Sequence, residues 1–203
     1  MKKKVFITII FFAIFFLIFY LIFNYKSLKN GNNNIRIKNE EDVNDYILNI
    51  SNYEAKIEVI VKSNKNENKY IINQKCMDNY SYQEMEYENN KKIIIEHKDN
   101  KVIIRNTSLK LEKIYESWEF LIENNLFLTT FVENFKETDE KEILVNENYY
   151  VVNLKLKNIS DKNVAYKSLY INKNNGKIEK LEIYDINKNR TIYILYKEIT
   201  INE

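Results

Sequence analysis

The stretch "YEAKIEVIVK" at residues 53–62 alternates almost without a break. Tyr53, Ala55, Ile57, Val59 and Val61 lie on one phase, and Glu54, Lys56, Glu58 and Lys62 on the other. Successive side chains of a β-strand point to opposite faces, so this pattern predicts a strand with one buried and one wet face, as in an antiparallel sheet. "KYIINQKC" and "NYSYQEMEYE" continue it less cleanly, and "KKIIIEHKDNKVIIRN" reads as a hairpin turning at Lys98-Asp99-Asn100-Lys101. Later strands are predicted in "EILVNENYYVVNLKLK", "KSLYINKNNGKIEKLEIYD" and "RTIYILYKEITI". Their turns fall at Asn146-Glu147-Asn148, Asn174-Asn175-Gly176 and Asn187-Lys188-Asn189, with Gly176 placed where a positive φ is needed.

Two segments break the period of two. In "NEEDVNDYILNISN", Asn39 is a helix N-cap, Glu40, Glu41 and Asp42 suit the first turn, and Val43, Tyr46, Ile47 and Ile50 recur at helical spacing. "ESWEFLIENNLFLTTFVENF" places Trp118, Leu121, Ile122, Leu126, Phe127, Phe131, Val132 and Phe135 on helical faces, read as two short helices meeting near Asn124-Asn125. The sum is a helix, about four strands, a helical excursion, then four or five more strands. Short turns between successive strands exclude parallel βαβ units. The expected fold is α+β, one curved antiparallel sheet whose concave side is closed by helices.

Ahead of this domain stands an apolar run, Val5 to Phe23, interrupted only by Thr8 and Tyr20. At about 1.5 Å per residue such a helix matches a bilayer core of roughly 30 Å. Secretory signals carry shorter apolar regions and small residues at the cleavage site, whereas this run ends in Phe23, Asn24, Tyr25, Lys26 and Ser27. No cysteine stands there for lipid attachment; Cys76 is the only one in the chain. The expectation is a retained anchor over residues 1–25, a polar linker over 26–38 and the globular domain over 39–203. Lys2, Lys3 and Lys4 favour a cytoplasmic N-terminus and an extracytoplasmic domain. The first 29 residues hold five lysines and no acid, so the net charge of +2 belongs to the anchor and the domain is slightly acidic. No clustered basic face points to nucleic acid.

The chemistry of the domain is constrained by what is scarce. One histidine, His97, excludes sites that need two, including two-His-plus-carboxylate zinc hydrolases. It reads as an exposed histidine at a hairpin turn. Cys76 reads as a buried or half-buried structural thiol and forms no intramolecular disulfide. Glu84, Glu86 and Glu88 share a strand face with Tyr80 and Tyr82, and read as a solvated face rather than a glycosidase pair. Two glycines make no phosphate-binding loop. No catalytic, metal-binding or cofactor-binding residue is expected.

The stretch Arg105–Phe135, with "NTSLKLEKIYES" leading into "ENNLFLTTFVENF", and the closing "LYINKNNGKIEKLEIYD…TIYILYKEI" resemble the clostridial GerS-related germination lipoproteins, within the broader LolA-like group. The resemblance runs from about Tyr46 to Glu198. It implies a curved antiparallel half-barrel with helices across its mouth and an extracytoplasmic role in spore-forming bacteria. It further implies a non-catalytic partnership with a zinc-dependent N-acetylmuramoyl-L-alanine amidase of the CwlD type in spore cortex modification. The residues that would touch such a partner are left open, as is assembly into a homodimer.

Three functions compete on this basis: an anchored protein-binding module serving a cell-wall enzyme, a lipid or lipoprotein binder of LolA type, and a wall hydrolase using acids alone. A shuttle must leave its membrane, which an uncleaved anchor forbids. A carrier also needs an open cavity, which Trp118, Phe127 and Phe131 are expected to plug. The binding module is favoured.

Overall fold

The computed structural model describes residues 37, 39–62, 66–78, 80–87, 91–99, 101–116, 122–157 and 161–202. The run from Val5 to Phe23 lies outside them, as do Trp118, Leu121 and Glu88. No helix among the described residues is long and apolar enough to cross a membrane.

Helix α1 (Glu40–Leu48) starts as its sequence dictates. The Asn39 side chain accepts from the Asp42 N–H at 2.8 Å, and Val43, Tyr46 and Ile47 are buried. Six strands follow: β1 (Asn52–Lys62), β2 (Glu67–Met77), β3 (Tyr80–Tyr87), β4 (Lys91–Lys98), β5 (Lys101–Asn106) and β6 (Leu111–Tyr115). A 3-10 turn (Ile122–Leu126) and helix α2 (Leu128–Glu137) interrupt them. Then come β7 (Lys141–Val145), β8 (Tyr149–Lys155), β9 (Tyr166–Asn172), β10 (Ile178–Tyr184) and β11 (Arg190–Asn202). Among the described residues the excursion holds one α-helix and one 3-10 turn, with Asn124-Asn125 inside the turn; the part of the first predicted helix around Trp118 and Leu121 lies outside them.

The eleven strands of the described residues join one antiparallel sheet in the order β6-β5-β4-β3-β2-β1-β11-β10-β9-β8-β7. Each half is a meander, and β1 and β11 meet at the centre through ten paired positions. The turns lie where the sequence placed them: Asp99, Lys188 and Gly176 adopt positive φ of 53°, 63° and 67°. Three register shifts curve the sheet, at Lys56/Ile57, Ile178/Lys180 and Ile183/Tyr184. Such bulges insert a residue on one strand and bend it.

The buried phase of β1, from Tyr53 through Ala55 and Ile57 to Val59, continues across the sheet as Ile72 and Cys76 on one side and Ile192, Ile194 and Tyr196 on the other. This face is concave, and α2 is bedded in it through Leu128, Phe131 and Phe135, all at most 2% exposed. Burial of three such side chains contributes several kcal/mol, at roughly 1.5–3 kcal/mol each. The opposite, convex face carries the charges, paired as Lys75–Glu54 (2.6 Å) and Lys69–Glu58 (3.0 Å). Exposed pairs of this kind add little stability and chiefly keep that face soluble.

Candidate functional site

Helix α2 begins without a side-chain cap, because its N-cap position is Phe127. A tertiary contact supplies one: the Leu128 N–H donates to the Tyr53 hydroxyl at 2.9 Å. That hydroxyl donates on to Gln74 Oε1 (3.3 Å), and Gln74 Nε2 donates to Gln83 Oε1 (3.1 Å) and to the Leu126 carbonyl (3.2 Å). Burial pushes the Tyr53 hydroxyl well above its ordinary pKa of 10, so it stays a neutral donor and acceptor. Gln74 and Gln83 stand on the apolar phase of β2 and β3, 3% and 0% exposed. They are polar staples that fix where the helical strap crosses the sheet.

At its other end α2 is held by a buried cation. Lys167 of β9 sits on the core phase between Leu154 and Ile183 and is fully buried. Its Nζ donates to Asn134 Oδ1 at 2.7 Å. Burial pulls the amine from 10.5 down to about 7, against the attraction of Glu133. Glu133 is itself pushed up, first by burial and then by Glu137, while Lys167, Lys136 and His97 pull it back. His97 is thus not the exposed turn residue that its sequence position suggests. It is half-buried on the concave face of β4, in register with Ser81 and Val102 and within electrostatic reach of α2.

Among the described residues a slot of about 410 Å³ lies in the concavity between the 3-10 turn, the first meander and Ile192 of β11. Val59, Val61, Tyr70, Met85, Ile93 and Leu126 line it, with Glu123 at its rim. Its size and lining fit an apolar small molecule.

The free edges of the sheet differ from this packed centre. Every residue of β6 is exposed, and Leu111, Ile114 and Tyr115, with Leu109 just before them, are 55%, 58%, 36% and 63% accessible. On β7, the other edge, Leu144 and Val145 are each 51% exposed. An exposed edge strand with apolar side chains offers unpaired backbone groups and side-chain contacts to another chain.

Other residues singled out in the sequence resolve as follows. Cys76 is buried, its Sγ 3.4 Å from Ser81 Oγ and 3.6 Å from Thr129 Oγ1. Glu84 accepts from Lys92 Nζ (2.7 Å) and the Tyr82 hydroxyl (3.0 Å), contacts that hold its carboxyl below the usual range, while Glu86 is exposed on the same face. Phe127 and Phe131 do fill the concavity at the α2 end. Among the described residues no group of three or more His, Cys, Asp and Glu side chains could hold a metal ion. Lys167 escaped the sequence reading, although its phase, shared with Leu169 and Ile171, was the available signal.

A curved single-sheet α+β domain, with a helix stapled into its concave face and two edge strands that no other described strand pairs, is the class these features define. The chain belongs to the YdcC-like sporulation protein family, whose model matches residues 2–203. No curated protein sequence matches it. Among solved structures, an uncharacterized conserved protein from Thermus thermophilus aligns over 81% of this chain and 89% of its own, with a TM-score of 0.52 and 7% identity, which shows the fold alone. A chain of the Clostridioides difficile complex between the CwlD amidase and the GerS lipoprotein covers 82% of this chain and 97% of its own, at 19% identity and a TM-score of 0.48. The LolA superfamily protein NE2245 from Nitrosomonas europaea covers 82% and 95%, at 11% identity and a TM-score of 0.43.

Proposed function

We propose that this chain is a non-catalytic binding protein of sporulation, anchored by Val5–Phe23 with its domain outside the cytoplasmic membrane, that engages a cell-wall amidase of the CwlD type. The observation that carries the reading is the edge at β6, with Leu109, Leu111, Ile114 and Tyr115 exposed on and beside a strand that, among the described residues, pairs on one side only. Family membership supports the sporulation setting. The amidase is the chosen partner because the GerS lipoprotein, which the stretch Arg105–Phe135 resembles, occurs in complex with one. In the supposed assembly β6 extends its sheet with a strand of the partner, and Leu111 and Ile114 bury apolar surface on opposite faces of the new pair.

Co-purification of the full chain with the cell-wall amidase of its own organism is the test. Capture of the amidase by the wild type, with at least a tenfold loss on Ile114→Asp and an unchanged melting temperature, is the expected outcome. Recovery of no amidase by the wild type overturns the reading. The apolar slot favours a second reading, a lipid binder acting at the membrane. Native mass spectrometry that finds co-purified lipid, lost on Met85→Glu, together with failed amidase capture, would put it first.

A further inference from the structure

On the convex face of β7–β10, at the end of the sheet remote in strand order from β6, lies a second and polar groove of about 570 Å³. Two neighbouring rows of the sheet build it. The register sets Lys155, Tyr166 and Tyr184 side by side in one row, and Glu142, Asn153 and Ser168 in the next. Rows on one face of a strand are about 6.8 Å apart, and strands about 4.8 Å. Two phenol rings therefore stand side by side along one edge of a line of small polar groups, at a spacing close to one sugar ring.

The polar line is fixed before any ligand arrives. Ser168 Oγ donates to Asn153 Oδ1 at 2.6 Å, and Asn153 Nδ2 donates to Glu142 Oε1 at 3.1 Å. The Tyr184 hydroxyl is held on Glu182 Oε2 at 2.7 Å. Burial alone would push Glu182 up, but the hydroxyls of Tyr184 and Tyr170 and the Arg190 guanidinium hold it below its ordinary value and therefore ionised. Lys155 closes the rim on Glu140 at 2.7 Å, and Lys188, in the β10–β11 turn, hangs its ammonium 5.6 Å over the Tyr166 ring.

This combination selects a class of ligand. Of the four lysines in the lining, Lys141 and Lys167 turn their amines to the Phe135 carbonyl and to Asn134 on the helix side, which leaves Lys155 and Lys188 against Glu140 and Glu142; a groove so balanced gives a dense anion no net attraction, and its polar floor opposes an acyl chain. Lysines and carboxylates interleave, so the groove suits a ligand with little net charge. A pyranose ring offers an apolar C–H face for an aromatic ring and an edge of neighbouring hydroxyls that both give and accept hydrogen bonds. Tyr166 and Tyr184 answer the first need; Asn153, Ser168 and Glu142 answer the second. The volume lies within the roughly 300–1,000 Å³ of small-molecule sites. We propose that the groove between Tyr166, Tyr184, Asn153 and Glu142 binds a pyranose glycan, tested with the amino-sugar glycans of cell walls. Its source in the cell wall rests on the extracytoplasmic reading above, whereas the site itself does not.

Isothermal titration of the full chain, held in a detergent without a sugar headgroup, with the tetramer of N-acetylglucosamine and separately with solubilised wall glycan strands tests the assignment. Saturable binding of both is expected, weakened at least tenfold by Tyr184→Ala and by Asn153→Ala and within about threefold of wild type for Tyr184→Phe, which keeps the ring. Binding of the glycan strands alone narrows the ligand to the wall polymer and supports the site if the same variants weaken it. No saturable binding of either sugar overturns the proposal, as does binding that Tyr184→Ala and Asn153→Ala both leave unchanged. Ile114→Asp leaves sugar binding intact, so failure of amidase capture and failure of this site are separate results.

Discussion

Replacing Lys167 with methionine removes the one ammonium that the fold of the described domain buries completely, while a flexible chain of similar length keeps the space filled. The folded state holds this amine at about 7 against 10.5 when exposed. That gap corresponds to roughly 4–5 kcal/mol of folding free energy lost near neutral pH. That figure already includes the attraction of Glu133, so what stands against it is the hydrogen bond to Asn134, whose oxygen left without its donor costs about 1–3 kcal/mol. The expected result is a variant about 1–3 kcal/mol more stable at pH 7. The two proteins should also differ in pH dependence. Between about pH 7 and 10.5 the unfolded chain binds more protons at this lysine than the folded one. Wild-type stability therefore rises with pH across that window, by at most about 1.4 kcal/mol per pH unit, and the contribution is absent in Lys167→Met. Urea denaturation of both proteins at pH 6, 7, 8 and 9 measures the difference, and ionisation of the many tyrosines cancels between them. Parallel stability profiles, or a variant less stable than wild type at pH 6, would refute the buried-cation argument.

Tyr53→Phe removes the tertiary cap of α2 and the donor to Gln74, and should cost about 1–3 kcal/mol in the same assay; a change below 0.5 kcal/mol, in about the range of an ordinary surface substitution, would contradict that role. Tyr196→Phe should be neutral or stabilising by up to about 1 kcal/mol, because the Tyr196 hydroxyl is buried with no hydrogen-bond partner among the described residues. The Cys76 thiol should react with a disulfide reagent only on the timescale of unfolding; stoichiometric labelling within seconds of mixing would mean that the thiol is accessible.

How much of this was legible in the sequence follows from which interactions are local. The β1 alternation, the Asn39 cap and the turns at Asp99, Gly176 and Lys188 depend on residues a few positions apart, and each stands where its pattern put it. Strand β6 went unread because "LEKIY" has no buried face: all five residues are exposed, so no burial pattern marks it. The curvature was invisible for another reason. It arises from three register shifts between paired strands, and register is a property of pairs rather than of either strand alone. The Tyr53–Leu128 cap joins positions 75 residues apart, and Lys167–Asn134 joins positions 33 apart, so neither leaves a local trace. His97 shows the converse: its place one residue from a turn pair suggested exposure, while the concave bend brings it within electrostatic reach of Glu133. The convex groove needed both kinds of information, since its residues come from four strands that only the register aligns.

The pairing of β1 with β11 in the middle of the sheet has a consequence for how the protein comes into being. Each meander can zip up from neighbouring turns as the chain emerges, but the centre stays open until Arg190–Asn202 arrives. The contacts with the largest separation along the chain are thus the ones that unite the two halves, and such contacts form slowly. Until then β1 is itself an edge, its apolar face without β11 beside it. A chain cut before Arg190 would not lose a peripheral strand. It would be left as two half-sheets, and the span that β1 and β11 bridge would be where it comes apart.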